Sequence, residues 1–197
     1  MKCVTQSIWF FRHPETDWNA AKRYQGWSDR PLTERGQGMV ERLSKVYPRG
    51  SFDVVISSGR SHTNALANVL GDFDEDSRWA EIDHGDWEGL TWNEVKERFA
   101  PDHEARFADA LNSDAHGGET LTEIDKRIGE AWRQLLDEHS GKRVAIVTHC
   151  TPIQLVLCQI TTQDIRRHWQ FKIDCGSVTS LDVAPSGVIL NFSNQQA

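Results

Sequence analysis

Apolar positions cluster in three short runs, Ser7–Phe11, Phe52–Ile56 and Val144–Thr148, each rich in Val, Ile or aromatics and ended by polar residues. Runs that are apolar throughout, rather than alternating, predict strands of a parallel sheet covered on both faces. Between them the spacing turns helical. Thr33–Val46 opens on a capping threonine and aligns Val40, Leu43 and Val46, and His62–Leu70 aligns Leu66, Val69 and Leu70. Thr91–Leu111 predicts a helix opening after Gly89, with Pro101 as its break. Thr120–His139 opens on Thr-Leu-Thr-Glu, a capping-box pattern, and Pro152–Ile160 places proline in a first turn. Val178–Val183 and Val188–Phe192 flank Ala184-Pro185-Ser186-Gly187 and predict a hairpin. The alternation predicts an α/β three-layer sandwich: a mostly parallel central sheet with helices on both faces. No repeat or linker divides the chain, so one domain is expected over residues 1–197.

Composition narrows the function classes. The 197 residues carry a formal charge of −7, which argues against a nucleic-acid partner bound through phosphate neutralisation. It leaves room for a small anionic ligand, which responds to the local field. Cys3, Cys150, Cys158 and Cys175 show neither a CxxC pair nor zinc spacing, and read as reduced thiols in a cytoplasmic protein. The run Ile8–Phe11 stops at Arg12-His13, too short for a signal peptide, and no run reaches the roughly 20 apolar residues of a membrane span. Without export, the sequon at Asn191-Phe192-Ser193 carries no function. Asp72–Asp76 looks like a cation loop, but Ser77 and Asp83 stand where glycine and glutamate are needed, so it reads as a solvated acidic turn. No Cys-x5-Arg, GxxxxGK[ST], GxGxxG or HExxH motif is present.

Two of the predicted strands end in histidine, at Arg12-His13 and Thr148-His149, and the middle one ends in Ser57-Ser58. Open α/β sheets bind ligands beyond the carboxyl ends of their strands. Adjacent strands therefore bring His13, His149 and Ser57 to one crevice.

The segment Arg12-His13-Pro14-Glu15-Thr16-Asp17-Trp18-Asn19 resembles the Arg-His-Gly-Glu-Thr-x-x-Asn opening of the histidine phosphatase superfamily, the phosphoglycerate mutase-like clan. Further blocks follow in the same order: Gln25-Gly26 through Pro31-Leu32-Thr33, then Ser57-Ser58, Glu81 through Gly89, Gly117-Gly118-Glu119-Thr120-Leu121, and Thr148-His149. The resemblance implies a phosphohistidine mechanism, which splits one hard transfer into two easier ones. His13 is then the nucleophile, Arg12 clamps the phosphoryl, His149 stabilises its charge and Asn19 donates to another oxygen. Gln25 and Gly26 belong to the substrate-binding segment. Glu81 is implied as the general acid and base, with Glu88 as the competing acid that more plausibly holds the loop. Trp27 and Trp87, in the motif loops, are candidates to flank a substrate.

Three departures from the pattern matter. Pro14 replaces a glycine and removes its amide proton. Cys150-Thr151 replaces Gly-Gly, which crowds the pocket or adds a hydroxyl. His62 stands where the family places a second phosphate-binding arginine, with Arg60 two residues before it. Either His62 binds phosphate when protonated, or Arg60 swings in, or the pocket is weakened. If His62 serves, activity falls as pH rises through its pKa, ordinarily ~6.5. The resemblance thus implies a metal-independent phosphomonoesterase, without cofactor, acting on a small phosphorylated metabolite. Alternatives are a phosphoglycerate mutase-type transfer or an inactive phosphate-binding protein. The short chain, with little room for a closing insertion, favours hydrolysis, and the Gly-Asp-Trp-Glu-Gly run resembles α-ribazole and broad-specificity phosphatases.

Overall fold

The computed structural model describes residues 5–197, so Cys3 lies outside the described residues. The three apolar runs form β1 (Gln6–Arg12), β2 (Val54–Ser57) and, beyond a two-residue strand β3 (Asp74–Glu75), β4 (Arg143–Thr148). The late hairpin is β5 (Val178–Ala184) and β6 (Gly187–Gln195). Together they make a six-stranded sheet in the order β3-β2-β4-β1-β5-β6. The first four in that order are parallel, and β5 pairs antiparallel with both β1 and β6. The mostly parallel three-layer sandwich expected from the sequence is the architecture found.

Side-chain alternation along β1 explains the layers. Ile8 and Phe10 point to one face, where they join Ile124, Ile128 and Trp132 of α6 (Leu121–Glu138) and Val156 and Leu157 of α7 (Cys150–Ile160). Trp9 and Phe11 point to the other, against Leu43 of α2 (Glu34–Val46) and Leu66 and Leu70 of α3 (Ser61–Leu70). A strand buried on both faces has no solvated side to leave polar, which is why its sequence is an unbroken apolar run.

Local chemistry sets the helix boundaries. Thr16 caps the four-residue α1 (Asp17–Ala20) with Asn19 answering in a reciprocal capping box, and Thr120 and Glu123 do the same for α6. The expected helix Thr91–Leu111 is two helices, α4 (Trp92–Arg98) and α5 (Ala100–Ala108). The break falls at Phe99, two residues before Pro101, and puts proline in the first turn of α5 where its missing N–H has no helical partner to lose. The acidic segment is not simply a turn: Asp74 and Glu75 pair with Ile56 and Ser57 as an exposed edge strand. Trp87 is also not a substrate flank. It is 2% exposed and packs with Tyr24, Leu90, Val95 and Phe99 in a small cluster of its own. Among the described residues Cys150, Cys158 and Cys175 are free thiols. No helix of the described residues is long and apolar enough to cross a membrane.

Candidate active site

Arg12 on β1 lies level with Thr148 on the neighbouring parallel strand β4. His13 and His149 therefore leave the sheet side by side, their ring centroids 5.0 Å apart. On the far side of β4, Ser57 lies level with Val147, and the chain turns through Ser58–Arg60 into α3. That turn delivers His62 to 4.6 Å from His13 and 5.5 Å from His149. The three rings are 3%, 1% and 1% exposed. Ser58 rather than Ser57 joins them: Ser57 Oγ reaches Thr63 and Asn64 on α3, while Ser58 Oγ lies 2.8 Å from His149 Nε2.

Hydrogen bonds orient two of the rings. His13 Nδ1 lies 2.8 Å from the Pro14 carbonyl, which can only accept, so Nδ1 carries the proton and Nε2 of the neutral ring keeps its lone pair. The Ser58 hydroxyl donates onward to Thr63 Oγ1 at 3.1 Å and so accepts from His149 Nε2. His62 Nδ1 lies 3.3 Å from Asp29 Oδ1, off the line of a hydrogen bond, and Gln25 Nε2 faces His62 Nε2 at 3.5 Å. A ring nitrogen from each histidine lies within 4.8 Å of the other two.

Burial disfavours the imidazolium in all three. His13 is held well below its ordinary pKa by burial and then by His62 and Arg12, against the opposing Pro14 carbonyl. His149 is lowered likewise, by burial first, then by the neighbouring His13 and His62 rings and by Arg12 and Arg60. His62 is brought down to about 4, because burial outweighs the pull of Asp29. The titration of an empty pocket thus lies well below the ~6.5 expected from the ordinary value.

The arginines sit on either side. Arg12 donates to the Ile173 carbonyl and keeps a buried Nε without a partner. Burial opposes its charge, but Cys150, Cys175, Glu81 and Asp174 around it outweigh that and raise its pKa. Arg60 precedes the first turn of α3 with its guanidinium 5.8 Å from the Trp27 ring. Its buried Nε has no hydrogen-bond partner, and its charge bears on both His62 and His149. Arg12 and Asn19 line a cleft of about 590 Å³ together with Lys22, Arg23 and Arg35. Asn19 Oδ1 accepts from the Thr16 amide and the Cys175 thiol.

Glu81 is 6% exposed, and its carboxylate accepts from the amides of Ile82, Cys150 and Thr151. The last two open α7, a terminus whose free amides suit a carboxylate. Cys150-Thr151 does not simply crowd the pocket, since its backbone holds Glu81, while the Cys150 thiol turns to Ile173 and burial pushes its pKa up to about 12. Glu88 binds the amides of Trp27 and Ser28 and so ties down the loop, as the sequence suggested. Gly26 fits beneath that loop because a Cβ there would lie 2.5 Å from the Ile82 carbonyl. Sequence reasoning missed Arg127. From α6 it donates to the carbonyls of Arg78, Ala80 and Glu81 and pairs with Glu119, whose other bond takes the Asp83 amide. Arg127 belongs to no quoted motif, and only its partner Glu119 carried a signal.

The chain is 29% identical over 171 residues to phosphoserine phosphatase 1 of Hydrogenobacter thermophilus, covering 84% of this chain and 81% of that protein. It is 25% identical over 196 residues to the adenosylcobalamin/α-ribazole phosphatase of Salmonella typhimurium, covering 96% of each. In fold, it matches the crystal structure of the α-ribazole phosphatase from Shigella flexneri with a TM-score of 0.89 at 23% identity, over 97% of each chain. Residues 8–196 match the family model as well, and the chain belongs to the histidine phosphatase superfamily, branch 1.

Proposed function

We propose that this protein is a phosphomonoesterase that hydrolyses a small phosphorylated metabolite through a phosphohistidine on His13. The observation that carries this reading is the Pro14 carbonyl on His13 Nδ1, which leaves Nε2 unprotonated in a ring that burial keeps neutral. That nitrogen attacks phosphorus, and the P–O bond to the alcohol breaks. Glu81 gives its proton to the departing alkoxide. Arg12 binds the transferring phosphoryl with a permanent charge, and His149, which takes up a second proton when the anion is bound, donates it to the phosphoryl oxygens. In the second half, water attacks the phosphohistidine and loses its proton to Glu81. Inorganic phosphate leaves and His13 is restored. Asn19 and Gln25 are proposed to position the phosphoryl from the α1 side. His62 faces the same space, and the Arg60 charge bears on it. Relatives named for phosphoserine and for α-ribazole phosphatase activity favour a small phosphomonoester as substrate.

The test is a phosphomonoester panel, including phosphoserine, assayed with chelator present. Expected are phosphate release and an acid-labile phosphoenzyme, with His13→Ala losing both by roughly 10³-fold or more. Transfer of the label to a second sugar phosphate rather than to water would mark a mutase. No label on the wild type, or equal label on His13→Ala, overturns the mechanism.

A further inference from the structure

The replacement of a permanent cation by His62 does more than weaken an anion pocket. It puts three buried imidazoles face to face, with a ring nitrogen from each within 4.8 Å of the others. Neutral imidazole is a poor ligand for a phosphate and a good one for a borderline metal ion. Two of the rings also have the outward partner that metal-binding histidines use to fix ring and tautomer: the Pro14 carbonyl for His13 and the Ser58 hydroxyl for His149. The buried His62 Nδ1, without a hydrogen bond, has the Asp29 carboxylate 3.3 Å away. Asp29 and Glu81 supply negative charge nearby, against the positive Arg12 and Arg60. Tetrahedral zinc, with bonds of about 2.0–2.1 Å, sets its nitrogens about 3.4 Å apart, so the rings close in by at most about 1.5 Å on binding.

We propose that His13, His62 and His149 form a three-imidazole site for a divalent transition-metal ion of the zinc class, and that its occupancy blocks phosphorylation of His13. The ion takes the Nε2 lone pair that would attack phosphorus, so metal and phosphoryl compete for one atom. The block, though not the site itself, rests on the phosphohistidine reading. Loaded and empty protein are then two states of one enzyme, inactive and active.

Purified protein stripped with chelator is titrated with Co²⁺ and followed by its visible absorption, and zinc stoichiometry is measured by equilibrium dialysis. The expected result is one ion per chain with a tetrahedral cobalt band. His62→Arg, which restores the family's residue, and His13→Ala should each weaken binding at least by the roughly 10–100-fold that losing a residue hydrogen-bonded behind a ligand costs. One equivalent of zinc should abolish phosphoenzyme labelling in the wild type and leave His62→Arg labelled. Equal metal binding by wild type and His62→Arg overturns the site, as does no binding by wild type. Metal bound with labelling undiminished overturns the block. A stripped wild type that takes no label at all overturns the phosphohistidine reading instead, and the cobalt titration still decides the site.

Discussion

A single proton placement governs the chemistry proposed at His13, and a single hydroxyl governs its neighbour. Ser58 receives His149 Nε2 at 2.8 Å and passes its own proton to Thr63, so the second histidine cannot rotate freely. Ser58→Ala removes that anchor and leaves a buried ring nitrogen without its partner, worth about 1–3 kcal/mol. Turnover should fall roughly 10–100-fold, by the conversion of 1.4 kcal/mol per decade, with little change in Michaelis constant. Steady-state kinetics on Ser58→Ala and the conservative Ser58→Thr check it; equal loss in both variants would refute an orienting role. At this scale the sequence was most legible where a residue stands at a strand end. His13 and His149 had to meet once their strands were adjacent. Which serine touched them was not legible, because Ser57 and Ser58 differ only in which way each points as the chain leaves β2.

Elements place the proposed general acid. Glu81 lies in a segment without regular structure, yet its position is fixed from two sides: by the first amides of α7 and by Arg127 of α6, which gathers the carbonyls of Arg78, Ala80 and Glu81. The Arg127–Glu119 pair is 17% exposed on each side. Removing one member of such a mostly buried pair costs about 3–5 kcal/mol. Arg127→Ala should therefore lower stability by that order in urea unfolding, and also reduce turnover, because the acid's backbone loses its support. Arg127→Lys should recover part of the stability but little of the activity, since one ammonium cannot reach three carbonyls and a carboxylate. Full recovery by lysine would show that charge alone matters. Capped starts such as Thr33, Thr91 and Thr120 were legible because the capping signal is local. The edge strand β3 was not, since two residues carry no period, and Arg127 was not, since its partners lie 8 to 49 positions away.

For the molecule as a whole, burying several histidines makes stability a function of pH in a window that carboxylates do not share. His62 is lowered to about 4 and His84 to about 3, each mainly by burial, and His13 and His149 are lowered too. A histidine with a depressed folded pKa binds fewer protons folded than unfolded between that pKa and about 6.5, so stability is full above about 6.5 and is lost as pH falls. His62 alone accounts for about 3 kcal/mol of loss by pH 4, on 1.36 kcal/mol per unit. Carboxylates lowered by their partners, such as Asp164 at about 2, act only below about pH 4. Chemical unfolding at pH 7.5, 6 and 5 should thus show a steady decline above the range where Asp164 acts. His62→Arg should flatten part of it, because arginine does not change charge there. Inorganic phosphate should flatten it further in the wild type, because an anion in the pocket favours the protonated rings and raises their folded pKa. Unfolding midpoints that stay level from pH 7.5 to 5, or a decline that phosphate leaves unchanged, would mean that these rings are not held neutral by burial in one shared pocket.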